Sequence, residues 1–382
     1  MDRALVPEIR AWMMDKALPL WMSVGLDRTH GGVVESLSLD GKGAAAVDFK
    51  RARVACRQLY VFSHAVVLGR SEAAAAADHV YDYLLGRFWQ GVDHGWARRV
   101  TVKGDILDPT PDLYDHAFVL FALAWRYRVT KDRETLALAN STLDFLERRF
   151  AHPAGAGFHN ELPATLPRKQ NPHMHLTEAA LALTEATGEA RFAVLSDTLT
   201  ALFTTRLAKF PEGVLPEFFN DDWSPVAGDQ GRWIEPGHQF EWAWILAQHQ
   251  RLRGGDHTAS VQALVRWAER FGVDPVTQVT INGVRDDGVP LDRGTRTWPN
   301  TERIKGWLAL YELTGADPRP AVAGSARLLL SRMLAGSVSG AWIDAYDKDG
   351  RPTVATVPTS TLYHVFLAFA EALRVAPRLV GE

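Results

Sequence analysis

A repeat of about sixty residues, present six times, limits this chain more than any other feature. Six Gly-containing, turn-like segments mark it: Thr29–Val34, Asp93–Ala97, Ala156–His159, Glu212–Leu215, Asn282–Arg285 and Ser339–Ile343. After each comes a polar loop, then an apolar run: Arg57–Leu68, Tyr114–Tyr127, Met174–Ala186, Phe240–Arg251, Ile304–Leu313 and Tyr363–Arg374. In the second run Ala117, Leu120, Phe121 and Ala124 fall at i, i+3, i+4 and i+7, which is helical spacing. Further helical stretches separate the runs: Leu5–Leu18, Ala73–Phe88, Glu134–Phe150, Ala190–Leu207, Thr258–Phe271 and Pro320–Met333. The unit is therefore an outer helix, a short hairpin, a loop and an inner helix.

Six helical hairpins side by side leave two unpaired edges unless they close into a ring. No Pro- or Ser-rich linker divides the units, and no polar capping repeat of the kind a linear solenoid needs is visible. The expectation is an all-α protein, one domain over residues 1–382. Its form is an (α/α)6 barrel with short β-hairpins and loops at one mouth.

Composition narrows the function. Lys and Arg number 42 against 45 Asp and Glu, and a pI near 6.5 lacks the basic excess of a nucleic-acid protein. The one cysteine, Cys56, excludes an internal disulfide or a cysteine metal cage. The longest apolar run, Ala117–Trp125, is about half a membrane span, and the N-terminus has no signal-like apolar core. A cytoplasmic enzyme without membrane contact is expected. The thirteen Trp suit large cores, and also suit stacking on sugar rings.

Polar residues recur where the inner helices begin. Arg57, Asp115, His175, His238, Glu302 and His364 are separated by 58, 60, 63, 64 and 62 residues. Equivalent positions in a ring share one level, so these side chains should converge at one mouth. Histidine exchanges a proton near neutral pH, and two imidazoles flanking a ligand can move a proton between carbons. Arg57 and Arg232 can stabilise an oxyanion. Glu241, one turn after His238, can orient it or bind a hydroxyl. His173 and His175 lie two apart, about 200° around a helix, so they do not chelate together. With no His-Glu-x-x-His motif, no metal is expected. Two-carboxylate glycoside hydrolysis would need Asp112, Asp115, Glu241 or Glu302. The His-rich ring suits proton transfer at carbon better. The segment 210–236 is long and rich in Gly, Pro, Asp and Trp, as a lid or a surface excursion would be.

Six stretches carry a resemblance: Arg57–Ser63, Asp112–Phe118, Asn171–Glu178, Pro236–Trp244, Arg296–Glu302 and Tyr363–His364. In that order the chain resembles the N-acylglucosamine 2-epimerase superfamily, whose fold is an (α/α)6 barrel. The resemblance implies cofactor-free proton transfer at a reducing monosaccharide. His238 and His364 match the family's acid/base pair, and His175 matches a further histidine that assists. Arg57, Asn171, Glu241, Trp298 and Glu302 match substrate-contacting positions, with Tyr114 and Arg232 added as candidates. The stretch Gly237–Trp244 looks most like the mannose isomerase branch. The implied reaction is D-mannose to D-fructose, with D-lyxose to D-xylulose as a side activity. The alternative is 2-epimerisation of cellobiose or N-acylglucosamine. A monomer or homodimer is expected.

Overall fold

The computed structural model describes residues 3–153 and 157–380. Ala156, the first residue of the third turn segment, lies outside them.

Two kinds of helix alternate along the chain. The inner helices are Ala52–Val67, Leu113–Thr130, Gln170–Thr187, Pro236–Arg253, Thr297–Thr314 and Leu362–Val380. In Leu113–Thr130 every residue from Asp115 to Ala124 is buried, because this helix has neighbours on all sides. The outer helices are one-faced. In Thr258–Gly272 the buried residues include Val261, Leu264, Val265 and Ala268, an i, i+3, i+4, i+7 stripe. The other outer helices are Ala74–Phe88, Arg133–Arg149, Ala190–Leu202 and Arg319–Leu328, with Leu5–Ala11 opening the first. Three of the six contain a π-helical turn: Trp12–Ala17, Phe203–Leu207 and Leu329–Met333.

Each inner helix packs on the next, and the sixth returns to the first, so the ring closes. Each outer helix packs on the inner helix beside it. A strand pair seals the seam: Ser36–Ser38 runs antiparallel to Thr356–Pro358, with Leu37 opposite Val357. Similar short pairs join neighbouring repeats around the same mouth, for example Arg168–Lys169 with Phe218–Phe219. The helical double ring with rim strands is the architecture read from the repeat.

The inner helices start earlier than their apolar runs. The third begins at Gln170 rather than Met174, and the fifth at Thr297 rather than Ile304. Their first turns carry polar residues, Trp298 and prolines (Pro172, Pro236, Pro299), so apolar periodicity under-reads them. Those first turns face the mouth, and the positive ends of six helix dipoles point there. Among the described residues no helix is long and apolar enough to cross a membrane.

Candidate active site

A cavity of about 320 Å³ occupies the mouth formed by the inner-helix N-termini. The structure brings His175, His238, His364, Arg57, Tyr114, Asn171, Glu241 and Trp298 onto its wall. Two expected contacts are absent from that wall, Glu302 and Arg232.

Each of the three cavity histidines has a glutamate behind it. His238 Nδ1 lies 2.8 Å from Glu217 Oε1, His364 Nδ1 lies 2.8 Å from Glu302 Oε1, and His175 Nδ1 lies 3.2 Å from Glu178 Oε2. A carboxylate on Nδ1 fixes the ring and its tautomer. Among the described residues only Nδ1 of each ring has a partner, so Nε2 is left for a ligand. Glu302 is thus corrected from a substrate contact to the fully buried support of His364. Arg232 is corrected as well. It is 40% exposed and ion-paired with Asp286 and Asp287 on the outside of the rim.

The imidazoles differ in charge. Burial disfavours a cation at His238, but Glu217 and Glu235 outweigh it and lift the pKa to about 9. At His364 burial wins, helped by Arg57 and Lys305, and holds the ring well below 6.5. His175 is also lowered, mainly by burial. At neutral pH the site therefore presents one proton donor, His238, and a neutral acceptor, His364.

Trp298 packs against both rings, with centroids 4.9 Å from His238 and 5.6 Å from His364. Gly237 makes room for it, since a Cβ there would lie 2.4 Å from the indole. Opposite, Arg57 donates to Tyr114 Oη at 2.6 Å and to the Ser360 carbonyl at 3.3 Å, with its guanidinium 4.2 Å over Phe118. Among the described residues, both carboxylate oxygens of Glu241 and the Asn171 amide oxygen are buried without a hydrogen-bond partner. A buried polar group left unpaired is costly, so these oxygens are acceptors suited to ligand hydroxyls.

Other ring-level residues serve the fold. His116 Nδ1 donates to the Asp112 carbonyl, and its Nε2 accepts the Trp96 amide of the hairpin. His173 repeats the device with the Lys169 carbonyl and the Phe158 amide. The hairpin glycines follow from this packing. Gly95 and Gly157 have positive φ, and a Cβ would meet the His116 and His173 rings at 2.5 and 2.8 Å. Asp115 is buried in a bidentate pair with Arg53.

Two His/Glu groupings have metal-like spacing, His175–Glu178–Glu241 and Glu241–Glu302–His364. Lys305 already supplies a cation to them. Its Nζ is fully buried, 2.7 Å from Glu302 and 3.8 Å from Glu241. Burial opposes the ammonium, but Glu302, Glu241 and Glu178 overcome this and raise its pKa. A fixed ammonium thus already occupies the side of Glu302 and Glu241 where an ion would add positive charge, which favours an ion-free site.

Sequence reasoning missed Glu217, Glu178 as a partner of His175, and Lys305. It also missed the rim residues Arg51, Arg296, Glu235 and Asp344. Lys305 left a signal: a lysine three residues after Glu302, inside an apolar inner run. Glu217 left none, lying 21 residues before its partner in an irregular segment. That segment, 210–236, forms part of the rim and supplies Glu217 and Glu235.

Residues 32–368 match the family model described as N-acylglucosamine 2-epimerase. The chain is 36% identical over 376 residues to the mannose-6-phosphate isomerase of Rhizobium meliloti (strain 1021), covering 95% of each. It is 28% identical over 374 residues to the D-mannose isomerase of Thermobifida fusca, covering 90% of this chain and 89% of that one. The solved cellobiose 2-epimerase from Spirochaeta thermophila DSM 6192 is similar in fold, with a TM-score of 0.86. It is 25% identical, with 99% of this chain and 98% of that one covered.

Proposed function

The chain belongs to the N-acylglucosamine 2-epimerase family, and from that premise we propose that it interconverts D-mannose and D-fructose without a metal or other cofactor. D-lyxose and D-xylulose form the expected side pair. The observation that carries this is the set of three glutamate-backed imidazoles of opposite charge bias around one cavity.

The pyranose first opens: protonated His238 gives its proton to the ring oxygen as the C1–O5 bond breaks, neutral His175 takes the O1 hydrogen, and the C1 aldehyde is freed. His364 Nε2 then takes the C2 proton, which the C1 carbonyl has acidified. The C2–H electrons form the C1=C2 bond, and the carbonyl electrons move to O1. Arg57 and the surrounding helix N-termini stabilise this cis-enediolate. The proton held by His364 is delivered to C1, the O2 proton is transferred to O1, and the C2 carbonyl of the ketose results. Glu241 and Asn171 accept hydroxyl hydrogens and hold the open chain in place.

The unphosphorylated sugar suits the wall. Arg51, Arg57 and Arg296 are matched there by Glu235, Glu241 and Asp344, and protonated His238 by Glu217 behind it, which leaves no excess of positive charge for a phosphate. Arg51 and Arg296 are also already paired, with Glu35 and Glu235.

The second reading is a 2-epimerase acting on cellobiose or N-acylglucosamine. It is favoured by the likeness to the cellobiose 2-epimerase structure. In that case the proton returns to the opposite face of C2. Proton and carbon NMR in D2O separates the readings. D-mannose giving fructose deuterated at C1 supports the isomerase. Glucose deuterated at C2 without fructose supports the epimerase. Turnover of mannose 6-phosphate but not mannose would overturn the choice of the free sugar.

A further inference from the structure

A closed circuit of hydrogen bonds stands behind His238. The ring donates from Nδ1 to Glu217 Oε1 at 2.8 Å, and the other oxygen, Oε2, accepts from the Gln170 side-chain amide at 2.9 Å. The Gln170 amide oxygen in turn accepts from the Trp242 indole N–H at 2.7 Å. Trp242 follows His238 by one turn on the same face of the fourth inner helix, so the circuit ends on the helix where it began. All four side chains are buried, Gln170 and Trp242 completely.

The order of the links leaves one arrangement. An indole N–H only donates and a carboxylate only accepts. Gln170 must therefore turn its oxygen to Trp242 and its NH2 to Glu217. Trp242 is itself fixed, stacked on Phe203 with ring centroids 3.9 Å apart. The amide is also neutral. At His364 the supporting Glu302 meets the Lys305 ammonium at 2.7 Å instead. A neutral donor holds Glu217 without cancelling the negative charge that keeps His238 protonated.

Glu217 needs such a hold more than its two counterparts. Glu178 and Glu302 sit within inner helices, whereas Glu217 lies in the irregular stretch just before the Phe218–Phe219 strand. The Gln170 backbone N–H also donates to the Glu217 carbonyl, at 3.3 Å. One residue of the third inner helix thus grips both the main chain and the side chain of this loop residue.

We propose that Gln170 is a positioning residue for the proton donor: it holds Glu217, and through it the His238 ring, in the pose that presents Nε2 to the sugar. Trp242 acts by holding the Gln170 amide. Neither side chain lines the cavity. The proposal rests on the reading of His238 as the acid.

Gln170→Leu is expected to lower kcat for the sugar about tenfold or more, the worth of a hydrogen bond to a charged group, with KM within about twofold. Made on top of Glu217→Gln, it should cost less than about twofold further, because the two residues act in one chain. Gln170→Leu combined with Trp242→Phe strands no indole N–H, and is held to the same outcomes if the single change does not fold. An unchanged kcat, a loss carried by KM, or full additivity with Glu217→Gln would overturn the proposal. A readout without sugar separates it from the choice of reaction. In protein with isotope-labelled histidine, the His238 Nδ1–H signal, identified by its absence from His238→Ala, should be sharp in the parent and lost to exchange in Gln170→Leu. If no sugar turns over, the isomerase reading fails and this signal alone decides: absent from the parent, or unchanged in the variant, it overturns the positioning role.

Discussion

His238 and His364 rest against the same indole, Trp298, and carry opposite protonation biases at neutral pH. Both rings are buried, and both have a glutamate 2.8 Å from Nδ1. The difference lies in what surrounds each pair. Around His238 a second acid, Glu235, adds to Glu217. Around His364 the support Glu302 is itself neutralised by Lys305, and Arg57 adds a further positive charge. A proton donor and a proton acceptor are thereby set against one indole.

Replacing either imidazole should remove turnover. His238→Ala and His364→Ala are each expected to lower kcat by about 10²–10⁴-fold, the usual worth of a positioned acid or base. Circular dichroism should report an intact fold. Residual activity above a tenth of the parent in a folded variant would contradict the assignment.

The pH profile follows from the two shifts. Activity needs His238 protonated and His364 neutral. The alkaline limb is therefore expected near pH 9, and the acid limb well below the 6.5 of a free histidine. Sequence alone places the acid limb in the ordinary histidine range, and burial of His364 moves it down. Glu217→Gln removes the main group raising His238, so the alkaline limb should move toward lower pH. Stability shifts in the same sense: the His238 contribution is complete below about pH 6.5 and is lost as pH rises through about 9. Rate profiles and urea midpoints from pH 6 to 10 check both.

Lys305 is the counter-charge for a buried acidic cluster. Lys305→Met leaves Glu302 and Glu241 uncompensated and should destabilise the fold by about 3–5 kcal/mol. Thermal melting measures this, and a change below about 1 kcal/mol would show that the carboxylates do not need the ammonium.

Chelation should have no effect. Turnover after exhaustive EDTA treatment is expected to equal that of untreated enzyme. A loss reversed by added zinc or manganese would identify one of the two His/Glu groupings as an ion site.

Arg232 provides a control. Its pairs with Asp286 and Asp287 are on the partly exposed rim. Arg232→Ala should leave kcat/KM for the sugar within about twofold and leave the melting temperature essentially unchanged, as for an exposed ion pair. Arg57→Ala, in the cavity, should reduce kcat/KM strongly in the same assay.

The ring and the three cavity histidines were legible because repetition imposes register. A fixed offset in each unit becomes a fixed height around the axis. The same logic misplaced Glu302, which shares the offset but points behind His364. Register gives height and not the direction of a side chain. It also could not separate His175 from His173, or Asp115 from His116, by position alone. The two-residue step around the helix does so, sending His175 to the cavity and His173 to the hairpin. Glu217 was not legible, because it reaches His238 through chain folding in an irregular segment. The starts of the inner helices were blurred where their first turns are polar.

The seam between the first and last repeats sets an order of assembly. Arg57 holds the Ser360 carbonyl, Gln58 holds the Thr359 carbonyl, and Thr359 bonds to Val34 and Glu35. His364 follows within one turn of these contacts. A chain still being synthesised can stack its earlier hairpins in order. It cannot have a finished wall until its last inner helix is released and docks on its first. Competence for chemistry therefore waits for the sixth inner helix, and the same docking step that closes the ring also completes the site.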